Sequence, residues 1–160
     1  MANVWEEPIF DRTLEDVNFA IQKIKEWKNN HNHTGDIYDL KGCLNLSDLN
    51  RIEGNIAYLA ESLESFAYHP DVRSRQWGIT GMPNQNDVSR IIENVRDIIR
   101  SFYQPSNAPS LPSTMLSYTD INAIEENLYL IKHLLDCMQN SFGKSGVTKS
   151  GATMFLPIRR

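Results

Sequence analysis

Apolar residues recur at helical spacing in four stretches of the chain, and the same polar pattern introduces each stretch. In the first, Val17, Ala20, Ile21, Ile24 and Trp27 share one face, until the turn-forming run Asn29-Asn30-His31-Asn32-His33-Thr34-Gly35 ends it. In the second, Leu49, Ile52, Ile56, Leu59, Leu63 and Phe66 predict a helix running to about Ala67. A third stripe of Val88, Ile91, Ile92, Val95, Ile98, Ile99 and Phe102 closes before Pro105 and Pro109. The fourth consists of Ile121, Ile124, Leu128, Ile131, Leu135 and Met138. The periodicity therefore predicts an all-α protein.

Each stripe begins with a Ser, Thr or Asn three residues ahead of an aspartate: Thr13 and Asp16, Asn45 and Asp48, Asn84 and Asp87, Ser117 and Asp120. In such a pair the first side chain serves the early backbone N–H groups of a helix, while the carboxylate reaches back and favours the positive helix end. The second helix opens Asp48-Leu49-Asn50-Arg51-Ile52-Glu53-Gly54-Asn55-Ile56, and the fourth repeats this as Asp120-Ile121-Asn122-Ala123-Ile124-Glu125-Glu126-Asn127-Leu128. Looser copies start at Asp87 and Asp16. Asp16 to Asp87 is 71 residues, and both Asp48 to Asp120 and Trp5 to Trp77 are 72. This spacing points to a tandemly duplicated αα-hairpin folded as a four-helix bundle, with a pseudo-two-fold relation between helix pairs 1–2 and 3–4. The expected body is 1–142, with halves of about 5–72 and 77–142.

Outside the stripes, residues 1–12 read as an extended lead-in, since Pro8 suits no helix interior, and Trp5 is expected to pack back on the bundle. Residues 143–160 hold three glycines and no helical stripe, and are expected to leave the bundle as an extended basic arm. Lys144, Lys149, Arg159 and Arg160 supply its charge, and Met154, Phe155 and Leu156 form an apolar cluster expected either to fold back on the body or to dock on a neighbouring chain, the neighbour being preferred.

Composition narrows the class. With 41% hydrophobic and 22% charged residues in 160, the chain is an ordinary globular sequence. No apolar run approaches the ~20 residues that span a bilayer, and Glu6 and Glu7 stand where a secretory signal would be basic, so a protein made in the cytoplasm is expected. The arm's four basic residues within a net charge of −4 leave −8 on residues 1–142. An acidic body repels phosphate, so docking on an acidic protein surface fits this asymmetry better than nucleic-acid binding.

Candidate chemistry is sparse. Asn55, Asn94 and Asn127 occupy one position of the repeat, and Asn50 and Asn122 another; asparagine is an indifferent helix former, so these are read as polar ties to the backbone of lead-ins or connections. A polar ligand site is the alternative. Glu53 and Glu125 also match, and paired carboxylates in a bundle invite a di-iron reading. That site needs two Glu-x-x-His motifs, but Lys28, Phe66 and Leu130 stand three residues before His31, His69 and His133; the glutamates are read as bundle-edge partners for arginines such as Arg51 or Arg90. His31 and His33, with Asp36, could take a metal only if an oligomer brought copies together, and a solvated loop is the plainer reading. Cys43 and Cys137 fit no metal or disulfide spacing. Gly143-Lys144-Ser145 lacks the earlier glycine of a phosphate loop, since Met138 occupies that position, and no nucleophile motif is present. No cofactor or catalytic residue is assigned.

Taken together, Asp11-Arg12-Thr13 with Asp16-Val17, Leu40-Lys41-Gly42 before Asn45, the Asp48–Glu53 helix, Trp77, and Tyr118-Thr119-Asp120-Ile121-Asn122 with Ile124-Glu125 make residues 5–142 resemble a known group. It comprises small structural proteins encoded in the tail, baseplate or fibre regions of tailed phages and prophages of Gram-positive bacteria. The resemblance implies a noncatalytic virion component that docks on other virion proteins and on copies of itself, without nucleic acid or membrane. A cytoplasmic helical adaptor or regulator is the rival reading.

Overall fold

The structure, a computed structural model, describes residues 3–30, 39–115 and 117–153, with only the helical backbone given for 143–153. Four helices are present among the described residues and no strand: α1 (Leu14–Asn29), α2 (Leu46–Glu64), α3 (Gln85–Ser101) and α4 (Tyr118–Thr153). The all-α bundle expected from the periodicity is the observed fold. Trp5 packs back on the core, its ring 5.7 Å from that of Tyr58.

The caps work as local chemistry dictates. The backbone N–H groups of Thr13, Asn45, Asn84 and Ser117 donate to the carboxylates of Asp16, Asp48, Asp87 and Asp120 at 2.8, 2.9, 3.1 and 3.0 Å. In return Thr13, Asn84 and Ser117 accept from the backbone of Asp16, Asp87 and Asp120. Asn45 differs: its amide turns to the carbonyls of Leu40 and Cys43, fastening the preceding loop.

The arrangement of the helices departs from a duplicated hairpin. Arg51, near the start of α2, reaches Glu125 near the start of α4, and Phe66, just past the end of α2, stacks on Phe142 far along α4. Arg90, early in α3, meets Glu53, early in α2, while Tyr68 and Phe102, just beyond the ends of α2 and α3, pack edge to face. Helices α2, α3 and α4 therefore run parallel, whereas the helices of an αα-hairpin are antiparallel. The three pack against one another around Ile52, Ile56, Leu59, Leu63, Ile91, Ile98, Ile124, Leu128, Ile131 and Leu135. No residue of α1 joins this core, and only Ala20 of α1 is buried. Ile21, assigned to a buried stripe by its spacing, is exposed.

The repeat is correspondingly three-fold. Asp48, Asp87 and Asp120 are 39 and 33 residues apart, so the spacing of 72 spans two units. Each unit is an extended segment followed by a core helix, and α1 is an insertion between the first extended segment and α2. Helix α1 keeps the capping pair, but Asn18 and Phe19, at the tie and arginine positions of the repeat, face solvent.

A second departure concerns the end of the body. Helix α4 continues to Thr153, so residues 143–153, Lys144 and Lys149 among them, are helical instead of extended. At about 1.5 Å per residue its 36 residues extend about 54 Å, well past the ends of α2 and α3. Met154, Phe155, Leu156, Arg159 and Arg160 lie outside the described residues.

The insertion is held by close packing. A Cβ added to Gly42 would lie 2.1 Å from the Asp16 carbonyl oxygen and 2.5 Å from the Val17 nitrogen, so loop 40–45 rests directly on the first turn of α1. Lys41 bridges Asp11 and Asp16 over the same contact. Gly42→Ala should lower the unfolding free energy by roughly 1–3 kcal/mol, because backbone must move; an unchanged urea midpoint would show that the contact is loose.

Candidate functional site

The polar residues of the repeat converge on the extended segments. Residues 3–12 lie between α2 and α4, and residues 70–77 between α3 and α2, each running back along helices that point the other way. A chain threaded through a helical bundle has no neighbouring strand to pair with, so its N–H and C=O groups need side-chain partners. The carboxamide of Asn55 accepts from Glu6 N at 2.9 Å and donates to Glu6 O at 2.8 Å. Asn94 does the same with Arg73, at 3.1 Å in both directions. At the other position Asn122 pairs with Arg12 (3.3 and 2.9 Å) and Asn50 with Trp77 (2.7 and 3.2 Å). Between the asparagine pairs a glutamate takes one more N–H: Ile9 donates to Glu125 at 2.8 Å and Arg75 to Glu53 at 3.2 Å. In both grooves the order of partners is asparagine, glutamate, asparagine.

The third copy is incomplete for a visible reason. Asn127 donates to Pro109 O at 2.9 Å, as its equivalents do, and also to Ala123 O at 2.7 Å. Proline has no N–H to return, and the Asn127 Oδ1 is buried without a partner. Ser89 and Ile92 stand in α3 where α2 and α4 carry asparagine and glutamate. Met115 and Leu111 supply apolar packing on this side.

Two charge clusters sit on the ties. In the first, Glu125 receives Arg51 Nε at 2.9 Å and Nη2 at 2.8 Å, and Arg12 Nη2 at 3.0 Å. Both arginines also meet Asp48, at 2.6 and 2.8 Å. Two cations thus face two anions, all four at most 7% exposed. The Arg12 Nη1 donates to the Ile9 carbonyl, while its Nε has no partner. Burial acts against the charged form of Arg51, but its bonds to Glu125 and Asp48 outweigh this and hold its pKa above the ordinary arginine value. In the second cluster Arg90 grips Glu53 at 3.0 and 2.5 Å, and this bond, working against desolvation, raises its pKa too. Trp77 Nε1 donates to Glu53 at 3.2 Å, and the Arg75 guanidinium lies 3.8 Å from the centre of the Trp77 ring while bonding Asp87 at 2.8 Å.

Both glutamates are thus saturated by the chain's own donors. Among the described residues no three His, Cys, Asp or Glu side chains converge as metal ligands, and His31, His33 and Asp36 lie outside those residues. Burial raises the Cys43 thiol pKa, and Asp48 adds to the effect, so the thiolate is disfavoured. No helix among the described residues is long and apolar enough to cross a membrane.

Two surface features carry no signal in the periodicity. One is a cleft of about 420 Å³ between the 103–107 connection and α4, lined by Tyr103, Pro105, Tyr129, Leu130 and His133. The other is an apolar tip at the N-terminal ends of α2 and α3, where about 330 Å³ of space lies among Leu44, Leu46, Leu49, Ile79, Met82 and Pro83. Ile79 is 96% and Met82 89% exposed. Both fall in the glycine- and proline-containing connection Gly78–Pro83, which has no helical period to mark a face. Arg12, one of the two buried cations of the first cluster, has no signal in the periodicity, because a charged residue in a lead-in normally faces water.

Fold and ties define a parallel helical bundle whose shared polar residues fasten its own backbone. Comparison with protein-family models, with curated proteins and with solved structures finds no match.

Two measurements test these roles. Asn55→Ala and Asn94→Ala should each lose roughly 1–3 kcal/mol, and Asn127→Ala less, because its oxygen is already unbonded. Pro109→Ala restores the missing donor and should raise stability by about 1 kcal/mol after the lost proline constraint is subtracted. A lower melting temperature for P109A would refute this account of the third copy. Separately, Glu125→Gln should cost roughly 3–5 kcal/mol, since Arg12 and Arg51 have no route to water. Glu53→Gln should cost less, because the Arg90 side chain is 23% exposed; equal losses in chemical denaturation would contradict the burial argument.

Proposed function

We propose that this protein is a noncatalytic structural subunit of a phage tail or baseplate, or of a phage-tail-like particle, docking on neighbouring virion proteins and on copies of itself. The carrying observation is where the resemblance falls in the fold. Arg12, Asp48, Arg51 and Glu125 form the first charge cluster, Glu53 and Trp77 belong to the second, and Asn50 and Asn122 tie the two lead-ins. Leu40-Lys41-Gly42 seats the insertion on α1. The shared residues therefore specify a shape, which suits a subunit selected for how it fits its neighbours. Glu125 and Glu53 hold the lead-in backbone and the arginines beside it. In this reading the protein works in the virion, without cofactor, nucleic acid or membrane, and its acidic body disfavours phosphate.

Mass spectrometry of gradient-purified particles, from a host strain carrying the gene among tail or baseplate genes, should detect the chain at a fixed ratio to a known tail protein. Its absence from intact particles would overturn the proposal in favour of a cytoplasmic helical adaptor or regulator.

A further inference from the structure

We infer that the apolar tip receives the segment Met154-Phe155-Leu156-Pro157-Ile158 of a second copy of this chain, giving a head-to-tail contact. The inference gives a location to the self-docking part of the proposed function and rests on that part alone.

The tip has the chemistry of a receptor for a short apolar peptide. Leu44, Leu46 and Leu49 around the start of α2 line it together with the connection Gly78–Pro83, which supplies Ile79, Met82 and Pro83. The Gly81 N–H donates to the Gly78 carbonyl at 2.9 Å, closing a turn that presents Ile79 and Met82 almost fully to solvent. Two large apolar side chains held outward beside a leucine-lined space form an exposed patch of the kind that marks an interaction site. Methionine adapts well to peptide side chains of several shapes.

Reach decides which copy supplies the peptide. Helices α2, α3 and α4 are parallel, so the tip lies at the end of the bundle where α4 begins. Thr153 ends α4 about 54 Å away. The five residues of the segment, 154–158, span at most about 18 Å when fully extended. The segment therefore cannot return to its own tip while α4 is intact, whereas the tip of a second copy placed beyond Thr153 is in range.

Charge favours the same pairing. Residues 143–160 carry four basic residues and no acid, while residues 1–142 carry −8. A tail approaching the body of a second copy meets the opposite sign, and a tail approaching another tail meets its own. Tip and tail are different surfaces, so the contact is heterologous and would propagate as a ring or filament unless capped.

The test uses the full chain and two double variants, Ile79→Ser with Met82→Ser and Phe155→Ser with Leu156→Ser. Ile79 and Met82 lie outside the core, and unchanged thermal unfolding of both double variants would verify the fold. In sedimentation velocity over a range of concentrations, the native chain should form species larger than a monomer, and each variant should associate at least ~10-fold more weakly, equivalent to about 1.4 kcal/mol. An equimolar mixture of the two variants should yield a species of two chains and nothing larger, because only one intact tip can meet one intact tail. A native chain that stays monomeric, association that survives both double variants, or a mixture that stays monomeric would each overturn the inference. The assay contains no particles, so its failure is distinguishable from a failure of the virion assignment.

Discussion

Parallel helices impose the constraint on which this structure depends. Two antiparallel helices can be joined by a short turn, but each of the parallel helices α2, α3 and α4 must be preceded by a segment that travels back along the bundle. Residues 70–77 make that journey in the groove between α3 and α2, and residues 3–12 lie likewise between α2 and α4. Their backbone groups leave water without entering a sheet. The asparagine and glutamate side chains of the helices stand in for the missing strand, each carboxamide giving and taking one bond as a peptide group would. The hydrophobic core sets the helix faces, but these polar pairs set the direction and depth of the connections.

The buried charges follow from the same requirement. Glu125 and Glu53 sit where an N–H of the returning chain must be accepted, and an acceptor buried as a carboxylate needs compensating cations. Arg51 comes from the neighbouring helix and Arg12 from the lead-in itself, so one cluster joins three parts of the chain. At the second cluster the lead-in contributes Trp77 and Arg75 and the helix contributes Arg90. A purely apolar filling would bury as much surface but would not distinguish one lead-in position from the next. The asparagine–glutamate–asparagine order does.

Much of this was legible in the residues, because caps and stripes are local. Thr13 with Asp16 and Ser117 with Asp120 fixed helix starts within a residue, and the recurrence of Asn55, Asn94 and Asn127 marked positions that propensity could not explain. Helix direction was not legible, since a stripe reads the same in parallel and antiparallel packing. The spacing of 72 suggested pairs of helices because two unequal units add up to it, and Trp5 and Trp77 happen to share it. In the fold Glu6 corresponds to Arg73, which makes Val72 the counterpart of Trp5. The helical path of residues 143–153 was hidden by Gly143, Gly146 and Gly151, which lower local propensity without forbidding a helix already started at Tyr118. The apolar tip has no period to detect and emerges only when two connections meet in space.

The first lead-in has a consequence for how the chain acquires its fold. Ile9 and Arg12 are fastened to Glu125 and Asn122, partners 116 and 110 positions later in the chain. During synthesis residues 3–12 therefore emerge long before half of their groove exists, and they can close it only after α4 has left the ribosome. The second lead-in, tied to Asn50, Glu53 and Asn94, needs no such wait. The groove for residues 70–77 is complete once α2 and α3 exist, whereas the groove for residues 3–12, a latch across α2 and α4, is complete only with α4. Contacts of such long sequence separation slow a small helical domain relative to one built from neighbouring turns. Locking of the native state is thus deferred until nearly the whole body has been made.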